Sequence, residues 1–222
     1  MSISIVIPVL NEVSQLPTAL AALAPLRLRD VEIVLVDGGS KDGSVGVAIG
    51  AGVKLLRTRA GRARQMNVGA AAAHGELLLF LHADTRLPPH ADALVIGALA
   101  RSAWGRFDVT IDSPRRVLGL VAAMMNLRSR LTGIATGDQA IFVRRAMFES
   151  LGGYAPIPLM EDVELSSRLR RSAAPACLRA RVRTSARRWE ARGVLRTVVL
   201  MWRLRLAFRL GADPVRLAKR YR

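Results

Sequence analysis

The sequence predicts an open α/β fold in which helices flank a mostly parallel central sheet. Short β-branched and aliphatic runs alternate with helical segments from the first residues onward, as in chains built from βαβ units. Turn-forming or acidic residues follow several of these runs, where parallel strands end and ligands bind. Of the 222 residues, 51% are apolar, which is enough for a sizeable core.

Four strands and two helices are predicted in the first hundred residues. The strand-like runs are short, apolar and bounded by turn residues. They cover residues 3–7 (ending at Pro8), 31–36, 53–56 and 76–81. The helical segments cover residues 11–23, with Asn11 as the cap, and the Ala-rich stretch 61–73.

After about residue 100 the pattern changes. Further strands are predicted at 104–111 and 138–143, and further helices at 115–131, 160–171 and 194–210. The last helix interleaves apolar residues with arginines and is therefore basic and amphipathic. We expect one domain over residues 1–190, with halves at 1–100 and 101–190, and a basic helical tail at 191–222.

Positive charge is concentrated at the C-terminal end. Residues 163–222 carry 17 of the 34 basic residues but 3 of the 17 acidic ones, within a formal net charge of +17. Such a segment fits nucleic acid, an anionic membrane surface or a phosphorylated substrate, and it also fits a simple compositional bias.

Several classes of protein are disfavoured by composition. Aromatic residues make up 5% of the chain, and no helix-turn-helix, zinc or RNP signature is present, so no nucleic-acid partner is expected. The single cysteine, Cys177, excludes a disulfide framework and a multi-cysteine zinc site. No targeting signal or run of about 20 apolar residues is visible, so we expect a cytoplasmic protein, with membrane-surface contact as an alternative.

Acidic residues stand at the predicted carboxyl ends of the strands. Asp37 and Asp84 follow strands, and Glu161-Asp162 opens a later helix; such carboxylates can hold a divalent cation and ribose hydroxyls. Simpler structural roles are equally open: Asp37 and Asp84 as caps, and Asp162 as a helix N-terminal acid. His82 is expected to point to the same face as Asp84, because they lie two residues apart on a strand end.

Six motifs, in order, resemble glycosyltransferase family 2, whose members have the GT-A fold. The motifs are Ser4–Glu12, Asp37-Gly-Gly-Ser-Lys-Asp-Gly, Arg62-x4-Asn67-x-Gly69, Leu-His-Ala-Asp-Thr at 81–85, Thr136–Gln139 with Gly152-Gly-Tyr154, and Glu161-Asp162. The chain is most similar to a short bacterial group labelled arsenosugar-biosynthesis or selenodomain-associated transferases.

The resemblance implies a glycosyltransferase that uses a nucleotide-sugar donor, with UDP favoured, in an inverting single displacement. It makes residues 1–100 the donor half and 101–190 the acceptor half. It implies Asp162 as the catalytic base with Glu161 as neighbour or alternative, and Arg64 as a further phosphate contact. The implied donor contacts are Pro8, Asn11, Glu12, Asp37, Arg62, Gln65, Asn67, His82, Ala83 and Asp84; the implied acceptor-side residues are Gly137, Asp138 and Gln139.

Two departures from the family pattern concern the metal. Gly38 stands where the family has a second aspartate, and His82 stands where its Asp-x-Asp motif begins. A Mg²⁺ or Mn²⁺ ion would then be held by Asp84, with His82 as a second ligand or as a hydrogen-bond donor in place of one.

Three alternatives remain open. The acceptor could be a lipid or polyprenyl phosphate at a membrane surface, reached through the C-terminal helix. A nucleotidyltransferase is disfavoured because residues 8–12 are not a Gly-rich phosphate loop. A non-enzymatic basic protein would bind polyanions or membranes without needing Asp84 or Asp162. The sequence predicts no particular acceptor or oligomeric state.

Overall fold

The structure is a computed structural model that describes residues 1–221. The strands within this range are β1 (Ile3–Val9), β2 (Glu32–Asp37), β3 (Lys54–Arg57), β4 (Leu77–Phe80), β5 (Thr85–Arg86), β6 (Trp104–Asp112), β7 (Phe142–Arg144) and β8 (Ala176–Ser185). The helices are α1 (Leu16–Arg27), α2 (Ser44–Gly50), α3 (Arg62–Ala72), α4 (Ala91–Leu99), α5 (Arg116–Thr132), α6 (Arg145–Ser150), α7 (Glu161–Ser172), α8 (Arg187–Arg192), α9 (Val194–Arg209) and α10 (Pro214–Tyr221). A short 3₁₀ helix covers Gly137–Gln139.

All strands join one eight-stranded sheet in the order β3-β2-β1-β4-β7-β6-β8-β5. Strands β1 to β4 are parallel to one another, and β8 is parallel to β6. Strand β7 is antiparallel to both β4 and β6, and β5 is antiparallel to β8. The predicted α/β fold with a mostly parallel sheet is confirmed.

Two apolar clusters fill the two faces of the sheet, because successive strand residues point to opposite sides. In β1, Ile5 and Ile7 pack into the cluster that includes α1 and α4. Val6 packs on the other side, against α3, α6 and α7. The sheet is therefore a middle layer with helices on both faces.

The segment after β1 differs from its prediction. Helix α1 begins at Leu16, and Asn11 is not its cap. Asn11 has a positive φ of 55°, and its Oδ1 accepts a hydrogen bond from the Lys41 N–H at 2.8 Å. The Asn11 N–H in turn donates to Ser40 Oγ, so this residue fastens the turn after β1 to the turn after β2.

The first strand does not end at Pro8 but continues to Val9. The Val6 carbonyl accepts from the Leu81 N–H, so even-numbered β1 residues turn their polar groups toward β4. The pairing with β4 ends at Val6, and Pro8 lies two residues beyond it. Its missing N–H therefore costs no ladder hydrogen bond.

Other elements were missed or misassigned in the sequence. The strand predicted at 138–143 is present as β7 but begins later, at Phe142, because a 3₁₀ helix occupies Gly137–Gln139. Strand β8 was missed because its outward positions are arginines, with Arg179, Arg181 and Arg183 exposed and Val182 and Thr184 buried between them. The remaining elements missed were α2, β5, α4, α6, α8 and α10.

The C-terminal helices pack on the segment that precedes α7. Leu204 of α9 and Leu217 of α10 form a buried cluster with Leu159 and Met160. The positively charged end of the chain therefore lies against the residues that introduce Glu161. Within residues 1–221 no helix is both long enough and apolar enough to cross a membrane.

Gly69 should be intolerant of a side chain. A Cβ there would lie 2.4 Å from Val6 Cγ1 and 2.9 Å from Val36 Cγ2, because α3 packs directly on β1 and β2. We expect Gly69→Ala to lower the free energy of unfolding by about 1–3 kcal/mol, measured by chemical denaturation. The control is Gly97→Ala in α4, where a Cβ meets no atom within 4 Å and a gain of about 0.5–1 kcal/mol is expected. Equal effects of the two changes would contradict this account.

Candidate active site

The carboxyl ends of β1 and β2 form the first wall of the site. The Asp37 carboxylate is buried and accepts hydrogen bonds from the N–H groups of Gly39 (3.0 Å) and Ser40 (3.1 Å). Asp37 thus caps its own turn, one of the two roles open from the sequence. Pro8 is half-buried beside it, paired in register with Val36.

Gln65 holds the ends of these two strands together. Its buried Nε2 donates to the carbonyls of Val9 and Val36, both at 2.8 Å. A Cβ at Gly38 would lie 3.0 Å from that nitrogen. The glycine that replaces the family's second aspartate therefore leaves room for the Gln65 amide.

Asn67 connects α3 to the segment around Tyr154. Its Nδ2 donates to the Tyr154 carbonyl at 2.8 Å, and its Oδ1 accepts from the Tyr154 N–H at 2.9 Å. The Gly152-Gly-Tyr154 segment, predicted to lie on the acceptor side, is thereby fixed to α3. Arg64, on the same helix, is exposed.

The residues after β4 form a turn, which corrects one expectation. The Thr85 N–H donates to the His82 carbonyl, and residues 82–84 are not strand. Strand alternation therefore does not bring His82 and Asp84 to a common face. His82 Nδ1 lies 3.3 Å from Asp138 Oδ1, Asp84 faces α8, and Ala83 is buried between them.

Asp84 and Glu12 both face the guanidinium group of Arg187. Arg187 Nη2 lies 2.8 Å from Glu12 Oε2 and 3.7 Å from Asp84 Oδ2. The sequence analysis did not single out Arg187. Its signal was the short Arg-Arg pair directly after strand β8, which was itself missed.

The acceptor-side 3₁₀ helix packs tightly on His82. A Cβ on Gly137 would lie 2.3 Å from His82 Nε2, so a side chain there would require the His82 ring to move. Burial alone would raise the pKa of Asp138, but the hydrogen bond and charge of His82 lower it to about 2. Gln139 is fully buried, and its Oε1 accepts from the Thr136 N–H.

Glu161 and Asp162 open α7 and face this turn. Asp162 Oδ2 accepts the Gly137 N–H at 2.7 Å, and its Oδ1 accepts the Val163 N–H at 2.7 Å. Glu161 is buried and accepts from Arg62 Nη1 at 3.1 Å. Burial, and then the adjacent Asp162, raise the pKa of Glu161, while Arg62 opposes both effects.

The end of α10 reaches the same region. The guanidinium of Arg188 lies 4.9 Å from the centre of the Tyr221 ring, and the Tyr221 carbonyl accepts from Arg192 at 2.5 Å. Burial raises the pKa of Tyr221. The positive charges of Arg188 and Arg62 oppose that increase, and the smaller effects of Asp138 and Asp162 add to it. This aromatic residue, also missed in the sequence, lies close to the predicted base.

The residues around Asp84 fit a shared rather than an enclosed metal site. Within residues 1–221 no group of three or more His, Cys, Asp or Glu side chains is arranged to hold a metal ion. Asp84 is half-buried, and its nearest polar neighbours, Thr85 Oγ1 and Arg187, lie at 3.4 and 3.7 Å. Its oxygens are thus available to a cation whose other ligands come from a substrate, as Mg²⁺ commonly binds. His82 Nδ1 is already engaged by Asp138.

The sheet, the strand-end carboxylates and the acid pair at the start of α7 together define an α/β transferase domain of the GT-A type. Residues 4–146 match the family model of glycosyl transferase family 2. The chain is 36% identical over 163 residues to a PGL/p-HBAD biosynthesis glycosyltransferase of Mycobacterium bovis, covering 68% of this chain and 62% of that protein. The chain belongs to glycosyltransferase family 2.

Solved structures support the fold. Staphylococcus aureus TarS 1–349 in complex with UDP has a TM-score of 0.69 at 19% identity, covering 83% of this chain and 60% of that one. Glucosyl-3-phosphoglycerate synthase from Mycobacterium tuberculosis, in complex with Mn²⁺, UDP and glucosyl-3-phosphoglycerate, has a TM-score of 0.60 at 22% identity, covering 81% and 70%. The family model ends before Glu161-Asp162, so the roles of those residues rest on the site itself.

Proposed function

We propose that this chain transfers a sugar from a nucleotide-sugar donor to an acceptor hydroxyl or phosphate, with inversion. The observation that carries the proposal is the placement of Asp162. Its carboxylate is held by the Gly137 N–H at the acceptor-side turn, next to the buried Glu161, which pairs with the more exposed Arg62 of α3. A transferase that acts by single displacement needs a base at this boundary.

The proposed reaction assigns each charge a role. Asp162 accepts the proton of the attacking group, which is a hydroxyl or the P–OH of a phosphate monoanion, as its oxygen bonds to the sugar carbon and the bond between that carbon and the diphosphate breaks. Arg62 and Arg187 then face the negative charge that develops on the leaving diphosphate. Asp37, Pro8, Asn11 and Glu12 line the nucleotide side. Gln65 and Asn67 hold the walls of the site in place through their backbone contacts.

A divalent cation, Mg²⁺ or Mn²⁺, is part of this proposal. Asp84 would be its protein ligand, with donor phosphate oxygens completing the coordination. When bound, the ion would supply positive charge to the leaving diphosphate. The Mn²⁺ and UDP held by the structurally similar glucosyl-3-phosphoglycerate synthase support this choice.

The donor is tested by thermal denaturation with UDP, GDP, CDP or TDP, each with Mg²⁺, Mn²⁺ or EDTA. We expect UDP with a divalent cation to raise the melting temperature most, because a ligand that binds only the folded state stabilises it. If UDP raises the melting temperature in EDTA as well, the diphosphate is bound by the arginines without a metal ion. No shift with any nucleotide would contradict the proposed function.

A lipid or polyprenyl-phosphate acceptor at a membrane surface is the second candidate. Two helices carry apolar stripes at helical spacing that face solvent. The α5 stripe is 47–78% exposed and comprises Val117, Leu120, Met124, Leu127 and Leu131. The α9 stripe is 45–77% exposed and comprises Leu195, Val199, Trp202, Leu206 and Leu210.

The charge around these stripes favours an anionic bilayer as the occupant. Exposed Arg196, Arg203 and Arg209 alternate with the α9 stripe. The start of α9 packs near α5 through Val194 and Leu118. Arginines beside an interfacial apolar face are attracted to anionic headgroups by about 1 kcal/mol each.

Flotation with liposomes tests this surface. We expect the full chain to float with phosphatidylglycerol vesicles, less with phosphatidylcholine and less at high salt. Leu127→Glu with Leu206→Glu should abolish flotation. The control, Leu28→Glu with Ile49→Glu, changes equally exposed residues elsewhere and should float normally. If the variant with Leu127→Glu and Leu206→Glu still floats, this surface is not the membrane-binding one.

Narrower membership in the arsenosugar-biosynthesis or selenodomain-associated group also remains a proposal. It rests on the Leu-His-Ala-Asp-Thr motif at 81–85, on Gly61-Arg-Ala-Arg-Gln-Met-Asn67 and on the Arg-rich segment 184–189. The division of the chain into a domain at 1–190 and a tail at 191–222 is likewise proposed.

A further inference from the structure

We infer that Arg128 of α5 and Arg205 of α9 form a binding site for a phosphate group carried by the acceptor. The inference rests on the proposed function, which it deepens by naming the chemical class of the acceptor. Arg205 is one of the arginines of the predicted basic amphipathic helix, and Arg128 belongs to no motif that the sequence analysis identified. Both lie in the acceptor half or the C-terminal helices, away from the donor-side strand ends.

The first observation is that buried donors lack partners. Nε and Nη2 of Arg128 and Nε of Arg205 are inaccessible to solvent and have no hydrogen-bond partner within residues 1–221. A neighbour on the same helix shows the usual arrangement: Arg130 donates to Asp108 Oδ2 at 2.7 Å and to the Cys177 carbonyl at 3.1 Å. Burying guanidinium N–H groups without acceptors is costly. An acceptor is therefore missing at Arg128 and Arg205.

The second observation is the sign of the surrounding charge. Burial, and then the positive charges of Arg205 and Arg106, lower the pKa of Arg128 to about 10. Asp162 is the acidic residue that acts in the opposite direction. Since Asp162 is already engaged by Gly137 and Val163, the local excess of positive charge is left for an anion from outside.

The third observation is position. Arg205 directly follows Leu204, which packs on Leu159 and Met160 immediately before Glu161-Asp162. The start of α9 packs beside α5 in a separate cluster. Arg128 interacts electrostatically with both Arg205 and Asp162, so the three charges lie near one another. A ligand bound to the two arginines has its reacting oxygen on the acceptor side.

Phosphate suits this pair better than a single carboxylate. Two guanidinium groups offer several N–H donors in planar forks, which match the several oxygens of a phosphate dianion. The phosphate can belong to a lipid or to a water-soluble molecule, since both present the same group. The apolar stripes on α5 and α9 would accommodate the lipid source, so lipid and water-soluble phosphates are both included as probes.

The experiment measures thermal stabilisation of the full chain by three probes: inorganic phosphate, glycerol 3-phosphate and farnesyl phosphate. Arg128→Gln and Arg205→Gln are compared with Arg116→Gln on α5 and Arg216→Gln on α10, which change exposed arginines outside the proposed site. UDP stabilisation is recorded for every variant. Because Arg128→Gln removes an unpaired buried charge, its melting temperature without ligand should not fall; Arg128→Lys is the second variant if it does.

We expect at least one phosphate probe to stabilise the wild type and both controls. Arg128→Gln and Arg205→Gln should each weaken that binding at least tenfold and leave the UDP shift unchanged. Farnesyl phosphate acting alone would identify a lipid acceptor, and glycerol 3-phosphate acting as well would identify a water-soluble one. No stabilisation by any probe, equal loss in the controls, or loss of the UDP shift together with the phosphate shift would overturn the inference. Because UDP binding is scored separately, a failure here is distinguishable from failure of the proposed function.

Discussion

Replacing Asp162 by asparagine is expected to reduce sugar transfer by roughly 10²–10⁴-fold while leaving nucleotide binding close to wild type. The amide keeps the shape of the side chain and can still accept the Gly137 N–H, which lies 2.7 Å from Oδ2. It cannot accept a proton from the acceptor. The change therefore removes the chemistry and retains the fold of the turn.

The measurement is UDP release from the nucleotide-sugar that the thermal screen identifies, together with the UDP melting shift. Glu149→Gln, an exposed carboxylate on α6, is the control and should retain full activity. Glu161→Gln separates the two acids, because it removes the negative charge that faces Arg62 at 3.1 Å and leaves Asp162 in place. If Asp162→Asn lost UDP binding as much as transfer, the assignment of Asp162 as the base would be wrong.

Replacing Arg187 by alanine should have the second-largest effect, about a 10²–10³-fold loss of transfer. Arg187 lies between Glu12 and Asp84, at 2.8 and 3.7 Å. Without it, two carboxylates face the incoming diphosphate with one less compensating charge. Because Arg187 is proposed to act on charge that grows as the diphosphate leaves, turnover should fall more than UDP affinity.

Turnover is compared with UDP affinity in Arg187→Ala, Arg187→Lys and the exposed β8 control Arg181→Ala. The lysine variant should recover part of the activity, because it restores a point charge without the guanidinium fork. The control should be indistinguishable from wild type. Wild-type turnover in Arg187→Ala would show that this arginine only pairs with Glu12.

The donor half was largely predictable because its information is local. Each parallel strand is a short apolar run, and each run is followed by residues typical of a turn or of a ligand-binding site. The error at Asn11 arises from contacts between the β1 and β2 turns, such as Asn11 Oδ1 with the Lys41 N–H. The error at Pro8 arises because the pairing of β1 with β4 already ends at Val6. Propensity alone cannot show such long-range bonds.

The acceptor half was less predictable because its contacts are distant in sequence. Strand β8 carries arginines at its outward positions, so its alternation does not resemble an apolar strand. Arg187 and Tyr221 reach the site only because β8 and α10 fold back on it. The family resemblance places Gln65 and Asn67 in the donor site. In the structure their side-chain amides donate to the Val9, Val36 and Tyr154 carbonyls.

The position of β7 determines how this molecule can move. It pairs with β4 on one side and with β6 on the other, so strands from both sides of residue 100 share one uninterrupted ladder. Two bodies joined in this way have no hinge, since opening a cleft between them would break backbone hydrogen bonds across the centre of the sheet. Substrate entry must then depend on the loops and C-terminal helices at the rim, and a cut near residue 100 would divide one cooperative unit instead of releasing two.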